Sequence, residues 1–140
     1  MDLAERVGSE NVITIDIDRV VLAGTRDRLH RLGYTPHVVV GDARTGYAAE
    51  APYDRVIGTC YAWPLPHEWI EQTRPGGRVI AVAPTSLAQL TVAHDGSASG
   101  PLHRWSFGFM PMRGYGPRPI PEDELTSSAG WERPIVSVSD

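Results

Sequence analysis

The 140-residue sequence contains no lysine, a single cysteine and no apolar run that approaches the length of a membrane span. It contains thirteen basic residues, all arginine, and seventeen acidic residues, which gives a formal net charge of −4. This balance argues against nucleic acid or an anionic membrane as a partner, because those ligands usually require a basic face. The lone Cys60 excludes an internal disulfide and favours a reducing compartment, the cytoplasm. With 41% hydrophobic residues, we expect one domain at most, with an ordinary core.

The sequence also lacks the patterns of metal-dependent and nucleophilic catalysis. Ser86 and Ser106 have no Gly-x-Ser-x-Gly setting, and no base is evident beside Cys60. No two histidines have metal-ligand spacing on one element; they stand at positions 30, 37, 67, 94 and 103. We therefore predict no metal site and name no catalytic residue.

What the sequence does contain, up to residue 83, is an alternation of short apolar strands with helices. Such an order predicts a parallel sheet covered by helices on both faces. The predicted strands lie near 12–16, 37–40, 54–59 and 78–83, and the predicted helices at 1–8, 19–32 and 66–73.

The pattern changes after residue 83. Apolar residues at 87–93 and 103–110 flank Asp95-Gly96, a strong turn signal, so an antiparallel hairpin is predicted. The tail from Gly114 to the end is rich in proline and reads as a loop-rich cap. The corresponding domain prediction is an α/β domain over 1–113 with an extension over 114–140.

Candidate binding residues follow the predicted strands, because ligands of open parallel sheets bind beyond the carboxyl ends of the strands. Asp16 follows the first strand and can hold both hydroxyls of a ribose, whereas Asp18 is a nearby alternative that could instead cap the next helix. Asp42 follows the second strand, where it could accept the exocyclic amine of an adenine or bond its own backbone in a turn. Thr59-Cys60 follows the third strand. These signals alone also suit a nicotinamide enzyme.

Four blocks in order make the sequence resemble the protein-L-isoaspartate O-methyltransferase family. They are Val-Ile-Thr-Ile-Asp at 12–16, Gly-Asp-Ala-Arg-Thr-Gly-Tyr at 41–47, Ala-Pro-Tyr-Asp-Arg-Val-Ile at 51–57 and Gln-Thr-Arg-Pro-Gly-Gly-Arg at 72–78. The resemblance covers about residues 1–113. Phe-Met-Pro-Met-Arg at 109–113 is similar to actinobacterial members that modify peptides.

This resemblance implies a Rossmann-like fold that binds S-adenosyl-L-methionine (SAM) and methylates an isoaspartyl or aspartyl carboxylate of a protein or peptide. By matching positions, Asp16 would bind the ribose and Ile17 would lie against the adenine. Asp42 and Ala43 would contact the adenine, and the Thr59-Cys60 pair would lie near the methionine portion. Asp54 begins its strand and is interpreted as structural. The Gly-Asp-Ala-Arg and Pro-Gly-Gly-Arg blocks disfavour a dehydrogenase.

Three features of the resembled family have no match in this sequence. No Gly-x-Gly-x-Gly motif stands in residues 1–10, and the family's first strand and substrate segment would precede Met1. We therefore expect an incomplete, N-terminally truncated sheet with a strand missing between the first and third strands predicted here. Such a chain would be inactive by itself and could self-associate along unpaired strand edges. The alternative is a non-catalytic remnant or binding module of the same fold.

Overall fold

The computed structural model describes residues 2–83, 86–104 and 109–114, and the backbone of 135–138. It divides the chain into two compact units, Met1–Tyr47 and Ala48–Asp140. In the described ranges no helix has both the length and the apolar character needed to span a membrane.

The first unit is built around a pair of parallel strands. Its elements are helix α1 (Asp2–Val7), a 3-10 turn (Ser9–Asn11), strand β1 (Ile13–Asp16), helix α2 (Arg19–Arg31), strand β2 (His37–Val40) and a 3-10 turn (Ala43–Thr45). Ile13 lies opposite His37 and Asp16 lies opposite Val40, so the two strands end at the same edge. Both strands are rich in β-branched residues, which favour extended backbone.

Helix α2 begins after a capping aspartate and ends before a glycine with a left-handed backbone. One carboxylate oxygen of Asp18 accepts hydrogen bonds from the N–H groups of Val20 (2.9 Å) and Val21 (3.1 Å), which otherwise have no partner in a first helical turn. The helix ends before Gly33, whose φ of 82° is a left-handed conformation that favours glycine. The interpretation of Asp18 as a helix cap is confirmed.

The second unit contains a five-stranded mixed sheet. Its elements are a 3-10 turn (Ala48–Glu50), strand β3 (Tyr53–Tyr61), helix α3 (His67–Glu71), and strands β4 (Thr73–Ala83), β5 (Ser86–Val92), β6 (Ala98–Arg104) and β7 (Ile135–Val138). The strands pair in sequence order; β3 and β4 are parallel, and each later pair is antiparallel.

Helix α3 contributes to the core of the second unit. Trp69 and Ile70 are buried, as predicted, and a Cβ added to Gly58 of β3 would lie 2.6 Å from two ring carbons of Trp69. The helix therefore packs closely on β3 at a position that only glycine fits. On β4 and β5, the fully buried Val79 and Leu90 lie directly opposite each other.

The first strand, Ile13–Asp16, lies within one residue of the predicted 12–16, but two other predicted boundaries were wrong. The third strand continues to Tyr61, and β4 begins at Thr73 rather than 78, because Pro75-Gly76-Gly77 forms an irregularity within the strand instead of a turn before it.

The predicted antiparallel hairpin is present, but the predicted position of its second strand was wrong. The turn lies at Asp95-Gly96, where the carboxylate of Asp95 accepts hydrogen bonds from the N–H (3.0 Å) and hydroxyl (2.7 Å) of Ser97. Strand β6 begins directly after this turn and ends at Arg104, earlier than the predicted 103–110. Residues 105–108 of that prediction lie outside the described residues. Most of the predicted loop-rich tail also lies outside them, but its residues 135–138 form β7.

The described strands form two separate sheets rather than one. Strand β1 belongs to the two-stranded sheet and β3 to the five-stranded sheet. This is consistent with the prediction of an interrupted sheet, and no continuous seven-stranded sheet joins the described strands.

Candidate functional site

The carboxyl ends of β1 and β2 bring two of the predicted site residues together. Asp16 is the last residue of β1, and its carbonyl oxygen accepts a hydrogen bond of 3.0 Å from the N–H of Gly41. Asp42 comes next in the chain. Since this backbone bond joins the two strand ends, both carboxylates belong to one edge of the parallel pair.

One oxygen of the Asp16 carboxylate accepts a backbone hydrogen bond, and the other oxygen is open. Its Oδ1 accepts a hydrogen bond of 2.8 Å from the N–H of Asp18, which turns the chain from β1 toward α2. Within the described part of the chain, no other hydrogen bond or ion pair is made by this side chain. Asp16 is only half-buried, so its Oδ2 is accessible to a ligand. The hydrogen bond to Oδ1 holds the carboxylate in place.

Ile17 lies between this strand end and the cap of α2. The residue is 46% exposed. An exposed apolar residue next to an acceptor carboxylate suits a ligand with a polar and a flat apolar part.

Asp42 is engaged by Arg44. Its Oδ1 accepts from the backbone N–H of Arg44 at 2.9 Å, and the guanidinium approaches both oxygens, with Nε 2.9 Å and Nη2 2.6 Å from Oδ2. The side-chain hydrogen bond from Arg44, followed by its backbone hydrogen bond, lowers the pKa of Asp42. The carboxylate therefore stays ionised and acts only as an acceptor.

The turn interpretation of Asp42 is thus confirmed by geometry, and it leaves room for the binding interpretation. Ala43 begins the 3-10 turn that Asp42 caps, and Gly46 closes the turn with its N–H bonded to the Ala43 carbonyl at 3.2 Å. Asp16, Ile17, Asp42 and Ala43 accordingly share one small region of the first unit.

Thr59 and Cys60 lie in the second unit and within strand β3, not after its end as predicted. The strand is longer because Tyr61 is paired on both sides: with Val82 of β4, and with the Pro111 segment through two backbone hydrogen bonds of 2.9 Å that involve Met110 and Met112. Cys60 is half-buried and is not in a disulfide.

Two contacts were not predicted from the sequence. One joins Arg44 to Asp42, although an aspartate followed two residues later by an arginine at a turn signals this pairing. The other pairs Pro111 with Tyr61 at the edge of β3. Asp54 lies near the start of β3 and forms an ion pair with Arg74, which agrees with its interpretation as structural. No cluster of three or more potential metal ligands occurs in the part of the chain that the structure describes.

A parallel strand pair connected by a helix, with acids at its carboxyl ends, is typical of Rossmann-like folds. The family model for protein-L-isoaspartate (D-aspartate) O-methyltransferase matches residues 2–102. The chain belongs to this methyltransferase family.

Curated relatives and solved structures agree with that assignment. Protein-L-isoaspartate O-methyltransferase 2 of Archaeoglobus fulgidus is 36% identical over 116 residues, which cover 79% of this chain and 52% of the relative. Protein-L-isoaspartate O-methyltransferase of Methylibium petroleiphilum is 34% identical over 99 residues, which cover 69% of this chain and 37% of the relative.

Two solved structures show the fold. A protein-L-isoaspartate O-methyltransferase superposes with a TM-score of 0.65 at 21% identity, over 71% of this chain and 33% of its own. A Plasmodium falciparum protein of the same description, in complex with S-adenosyl-L-homocysteine, gives 0.59 at 16% identity, over 81% of this chain and 56% of its own.

The chain spans about half the length of the Archaeoglobus relative and less of some others. The predicted family and fold class are confirmed. The narrower similarity to actinobacterial members that modify peptides stays a prediction.

Proposed function

We propose that the protein takes part in SAM-dependent methylation of a carboxylate on a protein or peptide, isoaspartyl or aspartyl, and that this chain supplies the adenosine-binding part. The observation that carries the proposal is the convergence of Asp16, Ile17 and Asp42 at the joined ends of β1 and β2. The family of the chain and the ligand named for its Plasmodium structural neighbour support it.

Asp16 would bind the ribose. Its Oδ1 is fixed by the Asp18 N–H, so the carboxylate is oriented before a ligand arrives. The remaining acceptor positions can take hydrogen bonds from the two ribose hydroxyls, and hydrogen bonds to a charged acceptor are stronger than those between neutral groups.

Ile17 and Asp42 would bind the base. Adenine offers an amine donor at its edge and an apolar face, which the ionised Asp42 and the exposed Ile17 side chain complement in turn. The backbone of Ala43, directly after Asp42, would contact the ring edge.

When bound, SAM supplies a methyl group activated by its sulfonium. Methyl transfer requires positioning and exclusion of water more than acid–base groups. The role of this chain's residues is therefore to hold the nucleoside.

A calorimetric titration with SAM and with S-adenosyl-L-homocysteine tests this assignment. We expect both ligands to bind with similar affinity, because the shared nucleoside makes the contacts. Asp16→Ala should weaken binding by on the order of 1.5–3 kcal/mol, the usual loss for a hydrogen bond to a charged group. Asp16→Asn is the sharper variant, because the amide oxygen can still accept the Asp18 N–H while one charged acceptor is lost.

Asp27→Asn, an exposed aspartate on α2, is the matched control and should bind like the unsubstituted chain. Ligand binding that survives Asp16→Ala unchanged would show that the ribose site lies elsewhere. Binding without methyl transfer, even when the whole-length protein is assayed, would instead support the non-catalytic binding module.

The finer assignments are also proposals. The single cysteine favours the cytoplasm as the compartment. Residues 1–113 would form the methyltransferase part and 114–140 an extension, with residues 135–138 paired to β6. Self-association would use the edges of β1 and β3 that, in the described residues, face no full strand.

A further inference from the structure

The Asp42 side chain is held more tightly than a cap of a one-turn helix requires. A single hydrogen bond from the Arg44 N–H would satisfy the turn, and the Asp42 carbonyl already accepts from the N–H (3.1 Å) and hydroxyl (2.9 Å) of Thr45. The additional guanidinium bonds fix the carboxylate plane itself. An exposed ion pair of this kind contributes little to stability. Its main effect is therefore on the orientation of the Asp42 carboxylate.

The arrangement leaves part of the carboxylate unused. An ionised carboxylate offers about four acceptor positions. Three N–H groups of Arg44 occupy it: the backbone N–H and Nε on Oδ1, at 2.9 and 3.1 Å, and Nε and Nη2 on Oδ2. Since Nε is shared between the two oxygens, about one acceptor position remains for a donor from outside.

We infer that Arg44 is a positioning residue for base recognition: its guanidinium fixes the Asp42 carboxylate so that one acceptor position remains for the six-amino group of adenine. This inference rests on the proposed function, because it specifies how the same site selects its base. Inosine differs from adenosine by an oxo group at that position and by a hydrogen on the adjacent ring nitrogen, N1. An ionised carboxylate that only accepts would repel this oxygen, so the pair selects amino-purines over oxo-purines.

The depressed pKa of Asp42 agrees with this arrangement, since a protonated carboxyl could donate to an oxo group and would lose the distinction. Without Arg44, Asp42 would keep its negative charge, but the ligand would have to order its side chain on binding.

The experiment measures binding of S-adenosylhomocysteine and S-inosylhomocysteine to the 140-residue chain and its variants by calorimetry. Arg44→Ala should weaken S-adenosylhomocysteine binding by about 2- to 10-fold, the range expected for immobilising one further side chain on binding. The preference for the adenosine compound should fall by a similar factor. Arg44→Lys should lie in between, because an ammonium retains the charge but cannot form a fork to both oxygens.

Arg28→Ala removes an exposed arginine on α2 whose guanidinium donates a hydrogen bond to the hydroxyl of Thr25, and it should change neither quantity. Thermal unfolding by circular dichroism checks that each variant is folded. A merely structural Arg44 would not alter the ratio between the two ligands.

If the unsubstituted chain binds S-adenosylhomocysteine but Arg44→Ala leaves both affinity and preference unchanged, this inference is wrong and the proposed function stands. Tighter binding by Arg44→Ala would also overturn it, since the arginine would then compete with the base. If the unsubstituted chain binds neither compound, the proposed function fails together with the inference.

Discussion

At the scale of single residues, the two acids at the strand ends are distinguished by their partners. Asp16 has one oxygen fixed by a backbone N–H and one oxygen open, whereas both oxygens of Asp42 contact Arg44. Spacing along the chain places both at the right edge but cannot reveal this difference. It depends on the conformation of a three-residue turn and on the rotamer of one arginine.

The Asp42–Arg44 contact predicts a specific pH dependence. Because the folded-state pKa of Asp42 lies below the ordinary aspartate value of 3.8, its contribution to stability is present above that value and is lost as the pH falls through the folded-state pKa. Arg44→Ala should raise the pKa of Asp42. The stability difference between the two proteins should therefore be greatest near neutral pH and should shrink in acid.

Carbon-detected NMR of the Asp42 carboxyl carbon between neutral and strongly acidic pH measures this pKa directly. Arg28→Ala serves as the control for removal of a positive charge elsewhere in the same unit. Identical Asp42 titration midpoints with and without the Arg44 side chain would contradict the assignment.

At the scale of elements, the sequence was sufficient to predict the three α-helices and the first five strands in chain order, whereas the sixth strand was misplaced. The β-branched run of β2 and the Asp18 cap are local signals, and these elements appeared where expected. The extra lengths of β3 and β4 depend on partners distant in sequence. Tyr61 is kept in extended backbone by Met110 and Met112, so no local pattern could place the end of that strand.

The packing of α3 on β3 predicts a large effect for one methyl group. Gly58→Ala would place a Cβ 2.6 Å from the Trp69 ring, which must shift within a core that contains Ile70. We expect a loss of about 1–3 kcal/mol in the free energy of unfolding, the usual cost of overpacking. Chemical denaturation monitored by tryptophan fluorescence gives this value.

Gly24→Ala is the matched control because Gly24 lies inside α2, where the nearest atom to an added Cβ is the Arg28 guanidinium at 3.6 Å. It should stabilise the protein by about 0.5–1 kcal/mol, since glycine is unfavourable within a helix. A Gly58→Ala variant as stable as Gly24→Ala would show that α3 does not pack as described.

At the scale of the whole molecule, the described strands form two sheets, and the outer strands of these sheets have backbone groups that can pair with another strand. Beyond β2, β1 has no described strand partner, and β3 pairs with β4 and, at Tyr61 alone, with Pro111. Unpaired edges are ready templates for association. Light scattering after size-exclusion chromatography should show a mass that rises with protein concentration, and a constant monomer mass across that range would contradict self-association.

Methyl transfer itself is expected to need more of the family's length than this chain supplies. The methyl carbon must lie within about 3–3.5 Å of the attacking oxygen and in line with it, and a displacement of about 1 Å already costs about a hundredfold in rate. The matched region is 52% of the Archaeoglobus relative, so about half of that enzyme has no counterpart in the match. We therefore expect the 140-residue chain to bind the nucleoside yet to transfer no methyl above background. A chimera that joins this chain to the part of the Archaeoglobus enzyme outside the matched region should transfer methyl groups to isoaspartyl or aspartyl peptides in a radiolabelled assay. The same chimera with Asp16→Ala is the control, because it should lose activity through the SAM site of this chain and not of the donor. Equal turnover by the chain alone and by the chimera would refute the need for the additional segment.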